Sequence, residues 1–152
     1  MPITHHRQQR TIKKASSCTG VGLHTGVEST ITFKPAPENY GIQFKRTDIK
    51  GSPAIKADID HVVDISRGTT IEQNGIRIHT VEHTLAAVSG LRIDNILIEL
   101  TSKETPVMDG SAKDFVEALQ SSGQVTQEAN RKVLPIGRVV TYSDTVKEID
   151  IH

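Results

Sequence analysis

The sequence has 152 residues, enough for one domain with a hydrophobic core. Lysine and arginine together number 18, as do aspartate and glutamate, so the formal net charge is zero and nothing in it favours a nucleic-acid partner. Aromatic residues make up only 3% of the chain, which also argues against stacking on bases.

The composition also indicates a compartment. The single cysteine, Cys18, excludes an internal disulfide and favours a reducing environment. No window approaches the ~20 apolar residues that a membrane-spanning helix needs. The N-terminus has no apolar run after its basic residues, so it lacks the pattern of a secretory signal. We therefore expect a cytoplasmic protein without a membrane span.

Strand signals dominate the first half of the chain. Apolar and polar residues alternate over residues 27–33, which is the pattern of a half-buried strand. Asn74-Gly75 is a strong signal for a two-residue hairpin turn, and the strand after it runs to His79. Further strand or extended segments are predicted at residues 11–15, 41–46 and 54–58, and residues 61–64 and 69–72 flank Ser66-Arg67-Gly68.

A glycine-rich segment lies between the first two predicted strands. Its sequence is Thr19-Gly20-Val21-Gly22-Leu23-His24-Thr25-Gly26. Three glycines permit tight turns and allow another group to approach the backbone closely. Two interpretations fit this segment equally well: a hairpin with bulges, or a binding loop.

The residues from His79 to Gly90 predict a strand that turns directly into a helix. Thr80 is the expected N-cap, and Gly90 ends the apolar periodicity. Glu82 and His83 then fall in the first turn, at the mouth of the element. A neutral imidazole can ligate zinc, and a carboxylate beside the metal can take a proton from bound water.

A buried strand and a second helix follow. Apolar residues at 96–100 predict the strand. The helix begins near Ser111, where Asp114 completes a pattern similar to a capping box, and it ends near Gly123. Many strands with two helices predict an α+β fold, a two-layer sandwich of mainly antiparallel sheet with both helices on one face.

The last part of the chain suggests a domain boundary. Residues 124–131 are polar and lack periodicity, so we predict a linker there. Strand patterns resume over residues 132–152 and continue to the end of the chain. We therefore expect an N-terminal α+β domain at residues 1–123 and the opening strands of a truncated second domain at residues 132–152.

Taken alone, His79-Thr80-Val81-Glu82-His83 fits the H-x-x-E-H pattern of inverted zinc proteases. That pattern needs both histidines on one helix, whereas His79 is predicted to close a strand. A zinc protease therefore stays as one alternative function. A non-enzymatic binding module of the same fold is another.

Three segments in matching order and spacing resemble the UDP-3-O-acyl-N-acetylglucosamine deacetylases of lipid A synthesis. They are residues 19–26, residues 80–83 with 90–95, and residues 106–111. The resemblance covers nearly the whole chain from Arg10 onward. It implies a bacterial zinc amidohydrolase with two similar domains, each a sheet with two helices, and an active site between them.

The resemblance also implies roles for particular residues. His83 would be the first-domain ligand of one Zn²⁺ ion, with the remaining ligands in the second domain, and Glu82 would be the general base. His24 would lie near the catalytic cleft as a substrate-binding residue. Asp109 belongs to a family motif and is expected to support a turn, and His79 is not expected to bind metal.

The implied reaction is hydrolysis of an acetamide in a nucleotide-sugar lipid, with release of acetate. Glu82 would accept the proton from the attacking water, and a second-domain histidine would protonate the departing amine. Residues 66–69 align with an active-site loop of the family, and we assign no specific role to them. Because only one expected zinc ligand lies in this sequence, we expect these residues to be catalytically inactive by themselves.

Overall fold

A computed structural model describes residues 7–133, 137–144, 146–147 and 149–151. Its elements are named in chain order, and a short 3₁₀ turn, Ile59–His61, precedes the sixth strand. The elements are β1 (Gln8–Ile12), β2 (Ser16–Val21), β3 (Glu28–Pro35), β4 (Ile42–Arg46), β5 (Ala54–Lys56), β6 (Val62–Asp64), β7 (Thr70–Gln73), β8 (Ile76–Ile78), α1 (Glu82–Gly90), β9 (Ile96–Leu100), α2 (Lys113–Ser121), β10 (Gln124–Asn130), β11 (Tyr142–Asp144) and β12 (Ile149–Ile151).

The central sheet has five strands in the order β2-β3-β9-β4-β5. Its β4–β9 pair is parallel, and its other pairs are antiparallel. Strands β6, β7 and β8 form a separate antiparallel sheet, β1 pairs with β10, and β11 pairs with β12. The predicted α+β fold, with mainly antiparallel strands and two helices, is confirmed.

Apolar side chains at alternate positions of the strands form the core. Ile31 and Phe33 of β3 lie opposite Leu100 and Ile98 of β9, and all four side chains are fully buried. Phe115 of α2 meets Phe33 edge-on, with ring centroids 6.3 Å apart and planes at 77°. Burying such a side chain contributes roughly 1.5–3 kcal/mol, which is why the apolar periodicity predicts these elements well.

The hairpin at Asn74-Gly75 is confirmed. Both residues have positive φ, 53° and 77°, as a type I′ turn requires, and Gln73 pairs with Ile76 across it. The turn places β8 antiparallel to β7, and β8 leads directly toward α1.

The predicted N-cap of α1 is wrong. The helix begins at Glu82, Val81 occupies the cap position, and no side chain caps the helix. Thr80 has a φ of +60°, and its hydroxyl donates to Glu104 Oε1 at 3.0 Å. A buried carboxylate needs hydrogen-bond donors. Glu104 therefore binds the Thr80 hydroxyl, whose oxygen a helix cap would need.

The predicted capping box of α2 is also wrong. The helix begins at Lys113, and its cap residue, Ala112, makes no side-chain cap bond. Ser111 Oγ instead donates to Asp109 Oδ1 at 2.7 Å and accepts the Lys113 N–H at 3.1 Å. The carboxylate of Asp109 therefore organises the turn before the helix, as expected for a turn-supporting residue.

Residues 124–131, which lack apolar periodicity and were predicted as a linker, contain a strand. Residues Gln124–Asn130 form β10, which pairs antiparallel with β1. A strand that lies more than a hundred residues away in sequence supplies its hydrogen-bond partners, so local periodicity did not show it. The division into domains stays a prediction.

The final segment is described in part. Strands β11 and β12 pair antiparallel, in agreement with the strand patterns there, while residues 134–136, 145, 148 and 152 lie outside the described residues. Within the described ranges, no helix is long and apolar enough to cross a membrane.

Candidate functional site

Residues Ser66–Thr69, between β6 and β7, contact two of the predicted site residues; we call this segment the bridging loop. His24 Nε2 lies 3.0 Å from the Arg67 carbonyl. The Thr69 N–H donates to Glu82 Oε1. His24 and Glu82 therefore contact the same short loop from two different elements.

The two carboxylate oxygens of Glu82 differ in their hydrogen bonding. Oε1 accepts the Thr69 N–H, whereas Oε2 is buried and has no hydrogen-bond partner among the described residues. An unsatisfied buried acceptor costs about 1–3 kcal/mol. One oxygen thus fixes the side chain, and the other is left for a group that these residues do not supply.

Gly68 permits this contact. Its φ is +146°, and a Cβ at this position would lie 3.3 Å from Glu82 Oε1. Side-chain-bearing residues rarely adopt that backbone conformation. Glycine therefore lets the bridging loop approach the carboxylate.

His83 follows Glu82 in the first turn of α1 and is half-buried. The described residues contain no cluster of three or more histidine, cysteine, aspartate or glutamate side chains that could hold a metal ion. The chain therefore brings a carboxylate and an imidazole together at a helix start without completing a metal site within the described part.

Glu104 is a buried carboxylate that sequence reasoning missed. It accepts the backbone N–H of His24 at 3.0 Å, the N–H of Thr25 at 2.8 Å and the hydroxyl of Thr80 at 3.0 Å. Burial raises the pKa of Glu104, but these hydrogen bonds outweigh burial and bring the pKa below its usual value. Glu104 thereby joins the glycine-rich segment to the junction before α1.

The glycine-rich segment forms a hairpin, so that interpretation is confirmed. The Gly22 N–H donates to the Val27 carbonyl at 2.9 Å, and Val21 pairs with Glu28. A Cβ on Gly22 would lie 2.5 Å from Glu104 Oε2, so this glycine is needed for close approach to the carboxylate. The binding role of the same segment stays a prediction.

A cavity of about 300 Å³ opens beside His24. Neither Glu82 nor His83 lines it. Glu82 instead contacts the bridging loop, and other residues of that loop line the cavity. The cavity is lined by residues of four segments, namely His24, Thr25, Asp64, Arg67, Gly68, Thr70, His79, Thr80, Lys103 and Glu104. Apart from His24, sequence reasoning did not assign a binding role to these residues.

His79 lies at the end of β8, outside α1. Its Nδ1 is 3.0 Å from Thr70 Oγ1, and burial, with the nearby Lys103 charge, lowers its pKa. Because α1 begins at Glu82, His79 and His83 do not share a helix. The helical arrangement that the H-x-x-E-H pattern of a protease needs is therefore absent from this segment.

These elements make the protein a mainly antiparallel α+β domain with a carboxylate–imidazole pair at the start of a helix. The family profile described as UDP-3-O-acyl N-acetylglycosamine deacetylase (LpxC) matches residues 9–152. The chain therefore belongs to this family, and the resemblance seen in the three sequence segments is confirmed.

Named relatives agree with the family. The chain is 52% identical to a protein of Chlorobaculum tepidum named bifunctional enzyme LpxC/FabZ, over 94% of this chain and 31% of that protein. It is 44% identical to a UDP-3-O-acyl-N-acetylglucosamine deacetylase of Myxococcus xanthus, over 94% of this chain and 46% of the relative. The chain thus spans less than half the length of these relatives.

Proposed function

We propose that the full-length protein hydrolyses the acetamide of UDP-3-O-acyl-N-acetylglucosamine and releases acetate, as a zinc-dependent step of lipid A synthesis in the bacterial cytoplasm. Family membership and the names of the relatives support the reaction and the substrate. The observation that carries the proposal is the Glu82 carboxylate beside His83. Its Oε1 accepts the Thr69 N–H, and its Oε2 has no hydrogen-bond partner among the residues that the structure describes.

Glu82 would be the general base of this reaction. The Thr69 N–H fixes Oε1 and orients the carboxylate, so a proton from the attacking water would pass to Oε2. A general base positioned in this way contributes roughly 10²–10⁴-fold to a rate. Gly68 would contribute indirectly, because its missing side chain keeps the bridging loop against Glu82.

His83 would bind the zinc ion, and its remaining ligands would come from outside the described residues. An imidazole with a carboxylate beside it is a donor set that suits zinc. Glu82 Oε2 has no partner within the described part of the chain, which is consistent with a further polar group nearby. When bound, the ion would supply Lewis acidity and lower the pKa of its water toward about 7.

His24 would contact the substrate from the other side of the bridging loop. Because a carbonyl can only accept, His24 Nε2 carries the proton donated to Arg67, and a neutral ring then has Nδ1 free as an acceptor. Arg67 and Lys103 line the same cavity and would favour an anionic part of the nucleotide sugar.

The test compares acetate release by the full-length protein and its Glu82→Gln variant. We expect turnover to fall roughly 10²–10⁴-fold while zinc content and the melting temperature stay near wild type. Glu117→Gln, on the exposed face of α2, is the matched control and should retain full activity. Unchanged turnover in Glu82→Gln would remove the proposed base.

A second measurement separates the metal role from the base role. His83→Ala should lower the zinc content of the full-length protein as well as its activity. We also expect residues 1–152 alone to release no acetate, since they supply only one proposed zinc ligand. A full-length protein without any deacetylase turnover would instead favour the non-enzymatic binding module.

A further inference from the structure

A second cavity, of about 320 Å³, lies outside the proposed catalytic region. It shares no lining residue with the cavity beside His24. Seven residues line it, of which four are arginines and one is an aspartate. They are Arg7, Gln8, Arg10, Arg92, Asp94, Thr126 and Arg131. In a chain of zero formal net charge, this arginine cluster is a local concentration of positive charge.

The one carboxylate does not neutralise the cluster. Asp94 Oδ1 lies 2.5 Å from Arg131 Nε, and Asp94 Oδ2 accepts the backbone N–H of Arg10 at 2.9 Å. Within the described ranges, the guanidinium groups of Arg7, Arg10 and Arg92 form no ion pair. Three positive charges therefore line one cavity without an ion-pair partner in the described part of the chain, and an anion would relieve their repulsion.

The backbone of Arg92 gives an independent reason to expect a role for its side chain. Arg92 follows α1 with a φ of +56°. Its N–H bonds to the Ser89 carbonyl, and the Ile93 N–H bonds to the Val88 carbonyl, at 2.9 and 3.1 Å. This is the helix-ending motif in which glycine usually holds the left-handed position. An arginine there adopts a strained backbone conformation and also brings a guanidinium to the cavity.

Backbone hydrogen bonds hold the segments that carry the arginine cluster. Arg10 lies in β1, which pairs with β10, and the Arg131 N–H donates to the Arg7 carbonyl at 2.7 Å. Three separate segments thus deliver their guanidinium groups to one cavity. Its volume is at the lower end of the roughly 300–1,000 Å³ that is usual for small-molecule sites.

We propose that the arginine cluster is a binding site for a phosphate-type oxyanion, such as a phosphate monoester or a diphosphate group. A planar guanidinium presents two parallel N–H donors that match two phosphate oxygens, which makes arginine the side chain best suited to this ligand. None of the proposed catalytic residues belongs to the cluster, so the site is additional to the deacetylation proposed above.

The test is calorimetric titration of the full-length protein with inorganic pyrophosphate. Arg92→Gly removes one guanidinium and places the preferred residue in the left-handed position, so the variant should fold normally. We expect its pyrophosphate affinity to fall about tenfold or more, as for loss of a hydrogen bond to a charged group. The pyrophosphate affinity of Arg10→Gln should fall by a similar factor, and deacetylase turnover should be unchanged in both variants.

Arg77→Gln is the matched control, because Arg77 is exposed and already paired with Glu72. It should retain wild-type affinity, and an equal loss in this variant would show nonspecific charge attraction and overturn the proposal. Arg92 also has an alternative role, stabilisation of the negative end of α1. A lower melting temperature in Arg92→Gly with unchanged pyrophosphate affinity would show that role instead.

The source of the phosphate is distinguished in a parallel arm. Vesicles of phosphatidylcholine are compared with vesicles that also contain phosphatidic acid. Binding of pyrophosphate alone identifies a soluble phosphate ligand, whereas arginine-dependent binding of phosphatidic acid vesicles identifies a lipid headgroup. If neither titrant binds in an arginine-dependent manner, the site does not exist.

Discussion

Glu104 and Thr80 are joined by a hydrogen bond of 3.0 Å between the threonine hydroxyl and the buried carboxylate. The same carboxylate accepts two backbone N–H groups of the glycine-rich hairpin, from His24 and Thr25. Through Glu104, the hairpin that carries His24 and the junction that precedes Glu82 are held in one arrangement. We expect this contact to decide both stability and the relative position of the predicted site residues.

Replacing Glu104 by glutamine tests its contribution to stability. The amide keeps the shape of the side chain but has one acceptor oxygen and no charge, so backbone N–H groups of the hairpin lose a partner. We expect the free energy of unfolding to fall by about 2–3 kcal/mol, measured by urea denaturation. Glu117→Gln, on an exposed helix face, should change it by less than about 0.5 kcal/mol. Equal values for both variants would show that Glu104 is not a structural carboxylate.

The pH dependence of stability follows from the same carboxylate. Hydrogen bonds hold the pKa of folded Glu104 below its usual value of 4.5, so the unfolded state binds the proton more readily. This contribution is present above about pH 4.5 and is lost as the pH falls through the lower folded pKa. The difference in urea midpoint between wild type and Glu104→Gln should therefore shrink on acidification from pH 6 to pH 3, and a constant difference would contradict the prediction.

Gly68→Ala tests the contact between the bridging loop and Glu82. Alanine at a φ of +146° is strained, and its Cβ would lie 3.3 Å from Glu82 Oε1. We expect a loss of about 1–3 kcal/mol in unfolding free energy and a clear loss of deacetylase turnover in the full-length protein.

Gly90→Ala is the control for that substitution. Gly90 ends α1, and a Cβ there would meet open space. Alanine in a helix is more favourable than glycine by roughly 0.5–1 kcal/mol, so stability should rise slightly and turnover should not change. A Gly68→Ala protein with wild-type stability and turnover would show that the bridging loop tolerates displacement.

Cys18 should be an unreactive thiol. Burial, with a smaller contribution from the Asp114 charge, raises the pKa of Cys18 from 9.0 to about 11. A rise of that size lowers the thiolate fraction near pH 8 by roughly a hundredfold, and the thiolate is the reactive form. Alkylation by iodoacetamide should be correspondingly slow in the native protein and normal in concentrated urea. Similar rates in both conditions would contradict the predicted environment.

Sequence patterns predicted the elements whose causes are local. The alternation at residues 27–33 placed Ile31 and Phe33 on the buried face of β3, and Asn74-Gly75 specified the turn between β7 and β8. The family resemblance was also visible in three short segments and is confirmed over residues 9–152. The roles assigned to Glu82, His83 and His24 remain predictions, although the bridging loop contacts two of these residues.

Residues with distant partners were mispredicted or missed. Thr80 was predicted as a helix cap because its contact with Glu104 is not visible in the sequence. The strand within residues 124–131 was not predicted because its partner, β1, is distant in sequence. Glu104 itself lies in an unremarkable polar stretch, where no periodicity indicates burial.

The α+β class, most strand positions, the two helices and the family could therefore be predicted from the order of the amino acids. Side-chain volume, φ preference and hydrophobic periodicity act over a few residues and can be read in order along the chain. Three features could be seen only in the folded chain: the carboxylate that organises the hairpin, the first residue of α1, and the arginines that share a cavity. These features depend on hydrogen bonds and charges between segments that are distant in sequence, such as Thr80 with Glu104, or Arg10 with Asp94.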